Sequence, residues 1–172
     1  MVSYNSVLDI TFDDGEVTEP VQLNDVKNFC KIDISTDDDL ILALMTTGRQ
    51  MCEAFTGVSF IPRDITAFIN NENGGMYFPY APVNEIYSVK NSEGDTLVLD
   101  QEYTIKGDKF LRLLTPKETD IELNYAAGYD VLPEVLKTGL LNAIYYLYDN
   151  RSVGTEDIGP IAKMILKPYQ RV

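Results

Sequence analysis

The residues best placed to do chemistry lie in "DISTDDDL", where Asp33, Ser35, Asp37 and Asp39 alternate as oxygen ligands do in a calcium loop. The sixth position of that loop, where a turn glycine is needed, is Asp38, and the twelfth, where a bidentate Glu is needed, is Leu44. The stretch reads instead as a helix start. Ser35 or Thr36 is the expected N-cap, and Asp37, Asp38 and Asp39 fall in the first turn, where the helix dipole favours carboxylates. The chain has no histidine, which removes the commonest general base, the triad partner of Ser or Cys and the commonest transition-metal ligand. Cys30 and Cys52 lack CxxC spacing and read as buried thiols in a helical pattern. "NENGG" precedes a strand and lacks the lysine of a phosphate loop. Asp120 and Glu122 alternate on an expected strand, which suits an exposed face better than an acid/base couple. No enzyme, metal site or cofactor is expected. The minor alternative is a small acidic hydrolase or calcium-binding domain built on Asp33, Asp37 and Asp39.

What remains to explain is the charge. Fourteen basic residues against 27 acidic ones give a formal net charge of -13 over 172 residues. Residues 1 to 39 hold ten acids against Lys27 and Lys31. A surface of this sign repels phosphate backbones, so sequence-specific nucleic-acid binding is not expected, although a wall that DNA passes without sticking is compatible with it. The last thirteen residues reverse the sign: Lys163, Lys167 and Arg171 stand there with no acidic side chain. Hydrophobic content of 45% is enough for a real core. The opening Met-Val-Ser-Tyr has neither a basic stretch nor an apolar run, and no segment approaches the roughly 18 apolar residues of a membrane helix. Export, anchoring and a membrane partner are therefore not expected, and folding in a reducing cytoplasm is.

The elements follow from periodicity. Residues 1–20 read as an extended N-terminal arm or edge hairpin, with Leu8, Ile10 and Phe12 alternating before an Asp-Asp-Gly-Glu turn. Leu23, Val26 and Phe29 mark a short helix. Ile41, Leu44, Met45, Gly48, Met51, Cys52 and Phe55 mark a long one that Gly57 ends. From 61 to 129 come strand-like runs, "DITAFI", "GGMYFPY", "EIYSVKN", "TLVLD", "EYTIKG", "KFLRLL" and "DIELNYAAGY", punctuated by hairpin residues. A helix then starts at Pro133 with Leu136, Leu140, Ala143, Ile144 and Leu147 on one stripe, and a loop leads to a short helix near Pro160. The fold class is α+β: a helical bundle from the N- and C-terminal helices with a central antiparallel β-sheet or sandwich insert. After the arm, residues 21–172 form a single domain, helical over 21–57, β-rich over 61–129, and helical with a C-terminal tail over 131–172.

Tyr145 and Tyr148 are expected near the apolar stripe of the last long helix, with Tyr146 pointing elsewhere. Core packing with phenol tips at the rim and a subunit interface both fit this set.

Taken together, "VQLNDVKNFCKID", "DDDLILALMTTGRQMCEAFTG", "PVNEIYSVKNSEG", "IELNYAAGYDVLPEVLKTGLLNAIYYLYDNR" and "ILKPYQR" resemble the head-tail connector (adaptor or head-completion) family of tailed bacteriophages. The matching positions are Tyr125, Gly128 and Tyr129, then Pro133, then Tyr148, Asn150 and Arg151, then Pro168, Tyr169 and Arg171. The likeness spans about Pro20 to Arg171; Gln170 interrupts the Pro-Tyr-Arg close, and the arm lies outside it. The resemblance implies a non-enzymatic virion protein at the head-tail interface that assembles as a ring, commonly a dodecamer, beneath the portal, after folding in the host cytoplasm. Its partners would be further copies of itself, the portal protein, a stopper or tail-completion protein, and double-stranded DNA passing without sequence-specific contact. Lys167, Pro168, Tyr169 and Arg171 would dock on the portal, Asp37, Asp38 and Asp39 would face the channel or its rim, and Tyr146, Tyr148, Asn150 and Arg151 would lie at the subunit interface. Another neck or tail-completion protein, stopper-like, is the alternative within this class.

Overall fold

The apolar period of residues 41–55 closes into the longest helix of the chain. In the computed structural model, which describes residues 6–13, 15, 17–71, 74–108, 111–115, 120–152 and 157–170, the helices are α1 (Leu23–Cys30), α2 (Asp38–Thr56), α3 (Glu134–Asp149) and α4 (Pro160–Leu166). A single 3₁₀ turn, Lys167–Tyr169, extends α4. The strands are β1 (Ser6–Asp13), β2 (Arg63–Asn70), β3 (Gly75–Tyr77), β4 (Val83–Lys90), β5 (Thr104–Lys106), β6 (Arg112–Leu114) and β7 (Ile121–Ala127). The chain divides into two units: residues 1–16 with 62–128, and residues 17–61 with 129–172.

The second unit is helical. Ile41, Met45 and Cys52 of α2 and Leu136, Leu140, Ala143 and Ile144 of α3 are buried together with Val26 of α1 and Ala162 and Leu166 of α4. Each fully buried aliphatic side chain contributes about 1.5–3 kcal/mol relative to exposure. The helices approach closely where a side chain is missing. A Cβ on Gly139 of α3 would lie 2.5 Å from Cδ2 and 2.7 Å from Cγ of Leu166, and one on Gly48 of α2 would lie 3.0 Å from Ile144. α2 ends at Gly57, whose left-handed backbone (φ 67°) lets its N–H reach the Glu53 carbonyl at 2.8 Å.

Two helix details differ from the sequence reading. The N-cap of α2 is Asp37, not Ser35 or Thr36, because the chain first turns through an Asp38 N–H to Ser35 carbonyl bond and only the Asp37 carbonyl accepts the first helical N–H, from Ile41. Phe29 points outward, while Leu23 and Cys30 are the α1 residues that join Val26 against the core.

Every strand pair described in the first unit is antiparallel. One sheet runs β1-β2-β7-β4 and a second, smaller one β3-β6-β5. β2 and β7 alternate strictly, Ile65, Ala67 and Ile69 facing inward opposite Tyr125, Leu123 and Ile121. These residues share one core with Met76, Phe78, Val89 and Leu113, so both sheets contribute to it. β1 and β4 are the edges of the larger sheet; β1 is bulged between Val7 and Asp9, and of its expected alternating residues Ile10 packs against the core while Leu8 and Phe12 are exposed. "TLVLD" is not a strand. It meets its neighbours only through isolated bridges, Lys90 to Thr96 and Leu99 to Tyr103, because tight turns at Gly94 and at 98–103 fold it back before a ladder can form. Asp120 and Glu122 are held on the outer face by Asn70 and by Lys90 and Asn124. The turn residues Asp14, Glu16, Glu72, Asn73 and Lys109 lie outside the described residues.

Gly139→Ala is expected to destabilise the protein, because Cγ of Leu166 is not a free side-chain end and must move. Overpacking of this kind costs about 1–3 kcal/mol, against a gain in helix propensity of up to about 1 kcal/mol. Urea unfolding followed by circular dichroism would register a lower midpoint; an unchanged or higher one would show that α4 can shift freely on α3.

Candidate functional site

The residues assigned by sequence to assembly all belong to the helical unit, and a buried charge network shapes that unit. Arg49 is 2% exposed, and its Nε donates to Glu19 Oε2 at 2.9 Å, Nη2 to Glu19 Oε1 at 3.2 Å and Nη1 to Glu53 Oε2 at 3.0 Å. Glu19 also accepts from the Thr46 hydroxyl at 2.8 Å, and Glu53 from the Phe60 backbone N–H at 2.7 Å. Burial opposes the charge on Arg49, yet the two carboxylates outweigh it and hold its pKa above the ordinary value. Nothing in the sequence reading singled out these residues. Their signal was an Arg and a Glu spaced i, i+4 on the inward side of an apolar helix.

At the end of α3 the structure brings Tyr146, Tyr148, Asn150 and Arg151 together. Asn150 is not left-handed, so the last carbonyls are satisfied by side chains: Asn150 Nδ2 donates to the Tyr146 carbonyl at 2.9 Å and Arg151 Nη1 to the Tyr148 carbonyl at 2.8 Å. The Arg151 guanidinium stacks over the Tyr148 ring at 4.4 Å. The Tyr148 hydroxyl donates to Asp37 at 2.5 Å, tying the end of α3 to the start of α2, and this bond raises the phenol's pKa. Tyr145, expected beside the apolar stripe, is the exposed tyrosine. Tyr146 packs inward against Gly159, where a Cβ would meet its ring at 2.5 Å. The stripe of α3 runs through 136, 140, 143, 144 and 147, and position 145 lies on the far side of it.

The three consecutive acids separate. Asp37 takes Tyr148, Asp38 takes Lys27 at 2.6 Å, and Asp39 is exposed with no partner among the described residues. Asp33 is exposed as well. Among the described residues no group of three or more His, Cys, Asp or Glu converges as a metal site. No described helix is long and apolar enough to cross a membrane. Both cysteines are free, and burial raises both thiols, Cys52 to about 12.

The basic tail is less independent than its sequence implies. Lys163 holds Asp157, just upstream, at 2.8 Å, and Leu166 is fully buried. Tyr169 is half-buried against the helical core. Lys167 and Pro168 are exposed; Arg171 lies outside the described residues. The outward apolar side chains of α4 are Ile161 and Met164.

The fold is similar to that of chains in gene transfer agent particles, from neck and virion structures. A chain in the neck of an empty gene transfer agent (GTA) particle computed with C6 symmetry matches at TM-score 0.69 and 14% identity, over 94% of this chain and 96% of that one. A chain of the virion of a native GTA particle matches at TM-score 0.70 and 14% identity, over 94% and 95%. A chain in the neck of a native GTA particle computed with C12 symmetry matches at TM-score 0.62 and 14% identity, over 94% and 96%. No protein-family model matches the chain, and no curated sequence matches it significantly. The likeness runs nearly end to end in both chains, so it is not confined to one shared motif.

Arg49→Ala should take a charged partner from both Glu19 and buried Glu53, lowering the unfolding free energy by about 3–5 kcal/mol. Lys163→Ala, which breaks a pair that is 45% and 44% exposed, should change it by no more than about 1 kcal/mol. Chemical denaturation of both variants checks the contrast, and equal losses would contradict it.

Acid sensitivity should trace in part to Asp25. The Lys137 ammonium and the Gln22 backbone N–H hold its pKa below the ordinary carboxylate value. A lowered folded pKa contributes stability that is complete above the unfolded value of about 4 and is lost as pH falls through the folded value. The pair is partly exposed, so the effect is a few tenths of a kcal/mol. Thermal midpoints of wild type and Asp25→Asn between pH 2 and 7 should converge at the acid end.

Proposed function

We propose that this chain is a structural component of the neck of a tailed-phage-like particle, and within it the head-tail connector that forms a ring below the portal, extends the DNA channel and meets a stopper or tail-completion protein. The observation that carries this reading is the fold likeness to chains of neck assemblies over 94% of its length. The order of sequence segments that resembles the connector family supports it. So does the lack of histidine.

In this reading the protein works by shape and charge. A net charge of -13 keeps duplex DNA off the wall, with Asp39 the freest of the three acids at the start of α2 and Asp37 and Asp38 engaged in holding helices. The end of α3, with Tyr146, Tyr148, Asn150 and Arg151 pre-ordered by their own bonds, is a rigid surface for a neighbouring subunit. The tail, Lys167, Pro168 and Arg171 with the uncovered side of Tyr169, docks on an acidic, partly apolar groove of the portal. Exposed cations there set association rate and salt dependence, and the aromatic contact sets residence time.

The test is binding to purified portal protein of the same particle at low and high salt, comparing the full chain with a truncation after Leu166 whose fold is verified by circular dichroism. The full chain is expected to bind, more weakly at high salt, and the truncation to lose most of the affinity. Undiminished binding by a folded truncation would remove the tail from the docking role, and no binding by the full chain would contradict the connector assignment.

A further inference from the structure

In a chain of 27 acidic and 14 basic residues, a cation without an acid is the exception, yet two such cations stand side by side. On the outer face of the smaller sheet, Tyr77 of β3, Arg112 of β6 and Lys106 of β5 form one row across three strands. Tyr77 is directly opposite Arg112, and Arg112 directly opposite Lys106. All three are exposed, Tyr77 at 57%, while Met76 and Leu113 beside them face the core. Like charges directly opposite one another destabilise a sheet. Neither cation has a carboxylate partner among the described residues, and exposed Asp108, just after β5, pairs with neither. Residues 104–117 as a whole reverse the sign of the chain, with Lys106, Lys109, Arg112 and Lys117 against Asp108; Lys109 and Lys117 lie outside the described residues.

The Arg112 guanidinium is held in place without an acid. It lies over the Tyr77 ring, 5.7 Å from its centroid, and across Gly75, where an added Cβ would stand 3.0 Å from Nη2 and 3.2 Å from Nε. A guanidinium seated in this way keeps its donor fork for the paired oxygens of an outside anion, and Lys106 adds a second point charge beside it. A single carboxylate answers only one of two cations on strands about 5 Å apart, whereas a phosphate backbone, charged every ~3.4 Å of axis along each strand, answers both. A folded protein partner suits the row less well. Gly75, Leu114 and Thr104, next to it on the same face, are all at least partly covered, so no large apolar area is open to seat one.

We infer that this row is a contact site for the phosphate backbone of duplex DNA, with Arg112 and Lys106 each taking a phosphate and Tyr77 orienting the guanidinium. The inference rests on the neck reading above, which brings duplex past the protein, and names the residues that meet it. The field of the whole chain repels DNA, so the contact is weak, independent of base sequence and sensitive to salt. It steadies a passing duplex rather than capturing it.

The experiment titrates the full chain into a short, fluorescently labelled DNA duplex at low salt and follows anisotropy. Binding is expected, the same for unrelated duplex sequences, with a slope of log affinity against log salt of about −2 for two phosphates. Lys106→Gln with Arg112→Gln should weaken it at least several-fold, and Lys106→Gln alone should give part of that loss. Lys31→Gln with Lys163→Gln removes the same charge elsewhere and should leave binding nearly unchanged; circular dichroism verifies the fold of each variant. Equal losses in the two double variants would mean a diffuse charge effect and overturn the site. Labelled polyglutamate bound more tightly than the duplex would assign the row to an acidic protein segment and overturn the DNA contact. Wild type that binds the portal but not the duplex would overturn this site and leave the neck reading standing. Wild type that binds neither would overturn both.

Discussion

The buried guanidinium of Arg49 is the constraint around which the helical unit is arranged. A charge at 2% exposure is tolerable only if every donor finds an acceptor, and here Glu19 and Glu53 supply them. The two acids come from different places. Glu19 lies in the segment leading from β1 towards α1, and Glu53 lies on α2 itself, where it also takes the Phe60 N–H just before the chain enters β2. The network therefore holds both strand-bound connections against α2. Once α2 is fixed, the missing side chains at Gly48 and Gly139 let α3 and α4 close on it, and Tyr148 and Lys137 tie α3 to Asp37 and Asp25.

This arrangement separates the charged residues by role. Some hold the unit together: Arg49 with its acids, Lys27 with Asp38, Lys137 with Asp25. Most of the remaining described acids stay in solvent and give the chain its strong negative field, and the outward side of α2 beyond Asp39 is left uncharged. A protein that must associate with copies of itself while repelling a polyanion needs both properties at once, and their coexistence on one small fold supports the proposed neck role better than either does alone.

Much of this was legible in the sequence. The periods of α2 and α3 and the alternation of β2 and β7 place the buried residues where the structure has them, because one face of each element must be apolar to pack. The failures have local causes. "TLVLD" has strand composition, but tight turns on both sides deny it a partner ladder. Tyr145 and Tyr146 were exchanged in environment because three tyrosines near one stripe differ by a rotation that only the docking of α4 at Gly159 decides. The tail read as freely basic because Asp157 sits before the helix that presents Lys163. Arg49 was passed over because a charged residue on an apolar face is recognised only when its partners, here 30 residues upstream and four downstream, are known.

The most direct measurement is electron microscopy of the purified full chain mixed with the portal of its own particle. A closed ring of added density on the tail-facing side of the portal, with the helical units in head-to-tail contact, is the expected image. Portals that remain bare at saturating concentration of the chain, or that carry density without rotational order, would contradict the account.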